Sequence, residues 1–90
     1  RETTTGNQNV FAGYRTGGTN TVGINNTAIG SRADVGANNL EFATAIGSFA
    51  AVNANDTIVI GKTAGIYDGV SRPADAVSIP GNLSVGGTFN

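Results

Sequence analysis

The chain has 90 residues, 39% of them apolar, with 14 glycines, four Phe, two Tyr and no Cys, His, Met or Trp. Five Lys/Arg against six Asp/Glu leave a net charge of −1, and the cations Arg1, Arg15, Arg32, Lys62 and Arg72 are scattered rather than gathered into the basic stripe that nucleic-acid binding usually needs. Lack of Cys and His excludes disulfides, thiolate nucleophiles, the usual zinc sites and a Ser-His-Asp triad.

In chain order, residues 1–9 are polar, rich in Thr and Asn, and lead into a first apolar segment at Val10–Gly17. Gly18–Asn26 reads as a turn, a short return strand and a second turn. Thr27-Ala28-Ile29-Gly30-Ser31-Arg32-Ala33-Asp34-Val35 follows, and it returns as Thr44-Ala45-Ile46-Gly47-Ser48-Phe49-Ala50-Ala51-Val52. Weaker copies stand at Val10–Thr16 and Ile58–Ala64, so the central glycines Gly13, Gly30, Gly47 and Gly61 are spaced by 17, 17 and 14 residues. A fixed recurrence of this kind marks a repeat protein, in which each unit hides its apolar side against its neighbour. A domain of this size buries only about 60–70% of its unfolded surface, and a core drawn largely from Ala is thin. Stacking of the copies, and association with further copies of the chain, is expected to supply the burial.

Frequent Gly, Asn and Thr argue against helix, and the expected fold is an all-β parallel solenoid spanning residues 1–66. Aligned on the glycines, one column holds Ala12, Ile29, Ile46 and Ile60, and the preceding one holds Phe11, Ala28, Ala45 and Val59. A further column holds Val35, Val52 and Ile66. Adjacent apolar columns suit a strand buried on both faces. The expected core is therefore Ile29, Ile46, Ile60, Val35, Val52 and Ile66, with the Ala row against a second close-packed surface such as another chain. Phe42, in a longer connection, is expected to cover one end of the Ile row. Residues 67–75 read as a loop. Residues 76–90 read as a connector of two short strands, Val77/Ile79 and Leu83/Val85, turning at Pro80-Gly81 and leading to a further part of a longer protein.

No catalytic constellation emerges. The carboxylates Glu2, Asp34, Glu41, Asp56, Asp68 and Asp75 are dispersed, with no close acid/base spacing and no recurrence that would build a repeated calcium site. Gly61-Lys62-Thr63 resembles the end of a phosphate loop, but Asp56 stands where that motif needs its first Gly. The chain is read as a non-enzyme with no cofactor and no metal. Arg15 and Arg32 share a column that Phe49 and Thr63 continue. It is either a surface-binding strip or an ordinary solvated face whose arginines pair with Asp34 or a neighbouring chain.

The Ala-Ile-Gly-Ser-x-Ala element at Ala28–Ala33 and Ala45–Ala50, with Val-Ile-Gly-Lys-Thr-Ala at Val59–Ala64, resembles the head repeats of trimeric autotransporter adhesins. Similar repeats occur in phage tail-fibre-like proteins, and residues 75–87 look like the connector that follows such repeats. The resemblance covers 10–66. It implies a left-handed parallel β-roll in an intertwined or side-by-side homotrimer, carried on an extracellular, cell-surface fibre anchored to the outer membrane through another part of the parent. Partners implied are an extracellular-matrix protein or a surface glycan, with no nucleic acid and no membrane contact by this segment. The alternative is the shaft or receptor-binding segment of a phage or secretion-machine tail fibre, on a virion, recognising a cell-surface glycan. An ice-binding solenoid ranks below both, since the Thr residues do not fill one column.

Overall fold

A computed structural model describes residues 8–16, 23–36 and 39–89. Among them the chain is all β, with no helix. The leader at residues 1–7 and most of the return strand expected in 18–26 lie outside the described residues. Eight short strands occur among the described residues: β1 Val10–Ala12, β2 Thr27–Ile29, β3 Asp34–Val35, β4 Ala43–Ile46, β5 Ala51–Val52, β6 Thr57–Ile60, β7 Gly65–Tyr67 and β8 Val70–Arg72.

The first strand of each copy joins one four-stranded parallel sheet, in the order β1-β2-β4-β6. Its register runs Phe11↔Ala28↔Ala45↔Val59 and Ala12↔Ile29↔Ile46↔Ile60. Columns aligned on glycine in the sequence are thus neighbours in space. The second strands pair as β3-β5, Asp34↔Ala51 and Val35↔Val52. A parallel bridge between Ile24 and Glu41 adds a third place where successive copies meet.

The corners are set by backbone shape. At Gly30 φ is +126°, and a Cβ there would lie 2.7 Å from the carbonyl carbon of Gly47. Both the dihedral and the approach demand glycine. Two residues later the chain enters the left-handed region at Arg15, Arg32 and Phe49, with φ of 55°, 61° and 65°. The amides of Ala33 and Ala50 close back on the carbonyls of Gly30 and Gly47 at 3.1 Å each, completing type II-like turns. A second series of left-handed residues, Gln8, Asn25, Phe42 and Asp56, precedes each strand of the large sheet.

The core corrects one expectation. Side chains alternate across a strand, so only one of two adjacent apolar columns can point inward. The inward column is that of Phe11, Ala28 and Ala45, small in the two middle copies: all three are buried, facing Ala33, Ala50, Val35 and Val52, and Val59 packs against them. Val35 and Val52 are fully buried. Ile29, Ile46 and Ile60 instead point out, with Ile46 38% and Ile60 55% exposed. Ile66 is 75% exposed, because the chain leaves the stacking pattern at Gly65 and turns into an antiparallel hairpin rather than lying on β5.

Polar groups inside are satisfied by an asparagine relay. Asn26, fully buried, donates from Nδ2 to the carbonyl of Leu40 at 2.7 Å and accepts at Oδ1 from the amide of Ala43 at 2.9 Å. Its own amide donates to Oδ1 of Asn9 at 2.9 Å, and Asn9 donates to the carbonyl of Gly23. These side chains take up backbone groups where the sheet ladder lapses.

Three further differences concern the connections. Leu40, not Phe42, fills the space beside the core, and Phe42 is exposed with φ of +58°. Residues 67–75, expected as a loop, contain the turn and second strand of the β7-β8 hairpin, closed by Asp68-Gly69. Both turn residues have positive φ, as a type I′ turn requires. Residues 76–89, expected to contain two short strands turning at Pro80-Gly81, contain none and are exposed throughout.

Candidate functional site

The glycine corners carry a continuous row of aromatic and cationic side chains. The turn at each glycine pushes the residue in the left-handed position outward, and the copies set these residues side by side. Arg15 lies 5.2 Å over the ring of Tyr14. Arg32 lies 5.6 Å from the centroid of Tyr14 and 5.4 Å from that of Phe49, bridging two copies. Phe49 and Tyr67 meet with centroids 4.7 Å apart and planes tilted by 47°. Lys62 ends the row 5.8 Å over Tyr67. Cation–π contacts at exposed sites are worth only about 0.5–1 kcal/mol each, so the row shapes a surface more than it holds the fold.

The row is held in place from behind. The amide of Arg32 donates to the carbonyl of Tyr14 at 2.7 Å, and that of Phe49 donates to the carbonyl of Ser31 at 3.0 Å. The Ser48 hydroxyl donates to the carbonyl of Ser31 at 3.1 Å. The sheet ladder thus continues round the corner.

Two ion pairs fix its lower end. Arg32 pairs with Asp68 at the hairpin tip. Lys62 Nζ pairs with Asp75 at 2.5 Å and also donates to the carbonyl of Pro73 at 3.2 Å. The Lys62 amide donates to Asp75 Oδ2 at 2.9 Å, and the Asp75 amide donates back to the Lys62 carbonyl at 3.1 Å. The hydrogen bonds from the Lys62 side chain and amide hold the Asp75 carboxyl below the usual carboxylate value. Residues 73–75 thereby dock on the fourth glycine corner, as the next copy would.

Of the predicted strip, Arg15, Arg32 and Phe49 come together, with Arg32 spanning the two aromatic residues. The row does not continue through the Thr63 side chain as the column suggests. Tyr67 occupies that place, donating its hydroxyl to the Thr63 carbonyl at 2.8 Å. Sequence reasoning missed Tyr14, Lys62 and Tyr67. The Asp68-Gly69 pair was the available signal for Tyr67, since a two-residue hairpin folds the preceding strand back toward the repeats.

Among the described residues no group of three or more His, Cys, Asp or Glu stands ready to hold a metal, and no helix is long and apolar enough to cross a membrane. The chain matches no protein-family model, no curated protein and no solved structure.

Proposed function

We propose that this chain is a structural and adhesive segment of a homotrimeric extracellular fibre, each repeat forming one turn of a left-handed parallel β-roll. The observation that carries the reading is the outer face of the large sheet. Val10, Ile29, Ile46, Ile58 and Ile60 all stand exposed on it, Ile58 at 67%. The two outward columns, Val10/Ala12, Thr27/Ile29, Thr44/Ile46 and Ile58/Ile60, contain no charged residue. An uncharged apolar face running through every copy is what a monomeric soluble protein avoids and an association surface needs. Sister chains bearing the same face cover it by symmetry. The Ile row then does its work between chains and the Ala row within each.

In this reading the stacked repeats form a stiff spacer, and three chains present the same aromatic-cationic row to a cell-surface or matrix partner. Weak single contacts are then amplified about 10²–10⁴-fold when geometry permits simultaneous engagement. Mass in solution by light scattering tests the assembly. Three chain masses are expected, and a folded monomer at tens of micromolar would remove the fibre reading. The tail-fibre alternative shares the same assembly and differs in the parent: a membrane-anchor barrel farther along the gene favours the adhesin, and a chaperone-like end domain the tail fibre.

A further inference from the structure

We propose that the concavity between the third glycine corner and the β7-β8 hairpin is a binding site for an acidic saccharide, a pyranose carrying a carboxylate. The site deepens the attachment part of the reading above. Its lining comes wholly from one chain, so it stands or falls separately from the trimer.

The concavity encloses 360 Å³, near the lower end of the roughly 300–1,000 Å³ typical of small-molecule sites. Phe49 and Tyr67 line it with tilted, half-buried rings that offer an apolar surface to the C–H face of a sugar. Around them stand groups of both hydrogen-bonding senses. Asp68 and Asp75 present carboxylate acceptors, each already oriented by a cation, Arg32 and Lys62 respectively. Ser48 adds a hydroxyl at the rim.

Arg72 is the group left over. It lines the concavity from β8, and among the described residues its side chain has no ion pair and no hydrogen bond. A guanidinium matches a carboxylate with two parallel hydrogen bonds. The inventory decides between ligand classes. A purely apolar ligand leaves the two carboxylates and Arg72 unused. A phosphate-rich ligand meets Asp68 and Asp75 at close range. A sugar ring bearing one carboxylate meets the aromatic floor with its C–H face, the acidic wall with its hydroxyl donors, and Arg72 with its anion.

The test is a titration of the whole 90-residue, 15N-labelled chain followed by NMR, using digalacturonate, lactose and glutarate as probes. Digalacturonate is expected to give saturable shifts at the amides of Phe49, Tyr67 and Arg72. Lactose lacks the charge and glutarate lacks the ring, and each is expected to bind at least about tenfold more weakly, the size of one lost charged hydrogen bond. Arg72→Gln, on an exposed strand, is expected to weaken digalacturonate about tenfold while leaving lactose unchanged, with the remaining amide spectrum reporting that the fold is intact. Absence of saturable shifts with digalacturonate, equal affinity for lactose or glutarate, or an unaltered affinity in a folded Arg72→Gln chain overturns the site. Light scattering on the same sample reports the trimer independently, so a trimer that does not bind and a monomer that does are told apart.

Discussion

The guanidinium of Arg32 lies 5.4 Å over the ring of Phe49, the residue that occupies the same corner of the next copy. Both residues hold positive φ, a conformation that costs an ordinary side chain about 1–2 kcal/mol. The repeat accepts that cost at the corner because the turn must close over Gly30 and Gly47, whose backbones nearly touch.

The contact between those glycines gives a first prediction. Gly30→Ala places a Cβ 2.7 Å from the Gly47 carbonyl carbon while forcing Ala to φ +126°. The expected loss is roughly 2–4 kcal/mol by urea denaturation, combining dihedral strain with a backbone clash. Gly69→Ala, where nothing lies within 4 Å of the added methyl, is expected to cost only about 1 kcal/mol. Equal losses at the two sites would show that the close approach is not needed.

The outward isoleucines give a second. Ile46→Asp changes a residue on the surface of the single chain, and such changes usually alter stability by less than about 0.5 kcal/mol. At a symmetric interface the same change buries three carboxylates together. If the proposed trimer forms, light scattering is therefore expected to fall from three chain masses to one, with the β-rich circular dichroism retained. A trimer that survives this substitution would place the contact elsewhere.

The buried asparagine gives a third. Asn26→Leu removes the acceptor for the Ala43 amide and the donor to the Leu40 carbonyl, leaving two buried backbone groups without partners. At about 1–3 kcal/mol for each such group, unfolding stability is expected to drop by roughly 2–4 kcal/mol. Asn26→Asp keeps the acceptor but buries a carboxylate against the Leu40 carbonyl, and is expected to cost at least as much at neutral pH. A neutral outcome for Asn26→Leu would mean that water replaces the relay.

The fourth concerns pH. The Asp75 carboxyl, held by hydrogen bonds from the Lys62 side chain and amide, titrates below the ordinary carboxylate value in the folded chain. A carboxyl depressed by folding contributes stability that is fully present above its unfolded value and lost as pH falls through its folded one. The Lys62 amide resonance is therefore expected to stay constant from neutral pH down to the ordinary carboxylate range and to shift only below it. In Asp75→Asn that shift should vanish, and the amide at position 75, which donates to the Lys62 carbonyl, should lose protection. A Lys62 resonance that moves at or above the ordinary value would contradict the pairing.

The ordering of the copies was legible in the glycines, because each one marks a corner that no other residue fits. Aligning on Gly13, Gly30, Gly47 and Gly61 reproduces the strand register residue for residue. Which of two neighbouring apolar columns turns inward was not legible. Ala28-Ile29 and Ala45-Ile46 are apolar at both positions, and only the narrow gap to Ala33, Ala50, Val35 and Val52 selects the smaller side chain. The row at the corner was half legible. Arg15, Arg32 and Phe49 share a column, whereas Tyr67 reaches Phe49 only because the chain abandons the repeat at Gly65 and folds back.

One difference between the copies has a practical consequence. Seven residues join β3 to β4, at 36–42, while four join β5 to β6, at 53–56, yet Ile46 still faces Ile60 as Ile29 faces Ile46. Strand pairing is thus indifferent to how much chain spans that bend. A foreign peptide spliced in beside Ala54, exposed in the shorter linker, is expected to be displayed with the paired strands left in place.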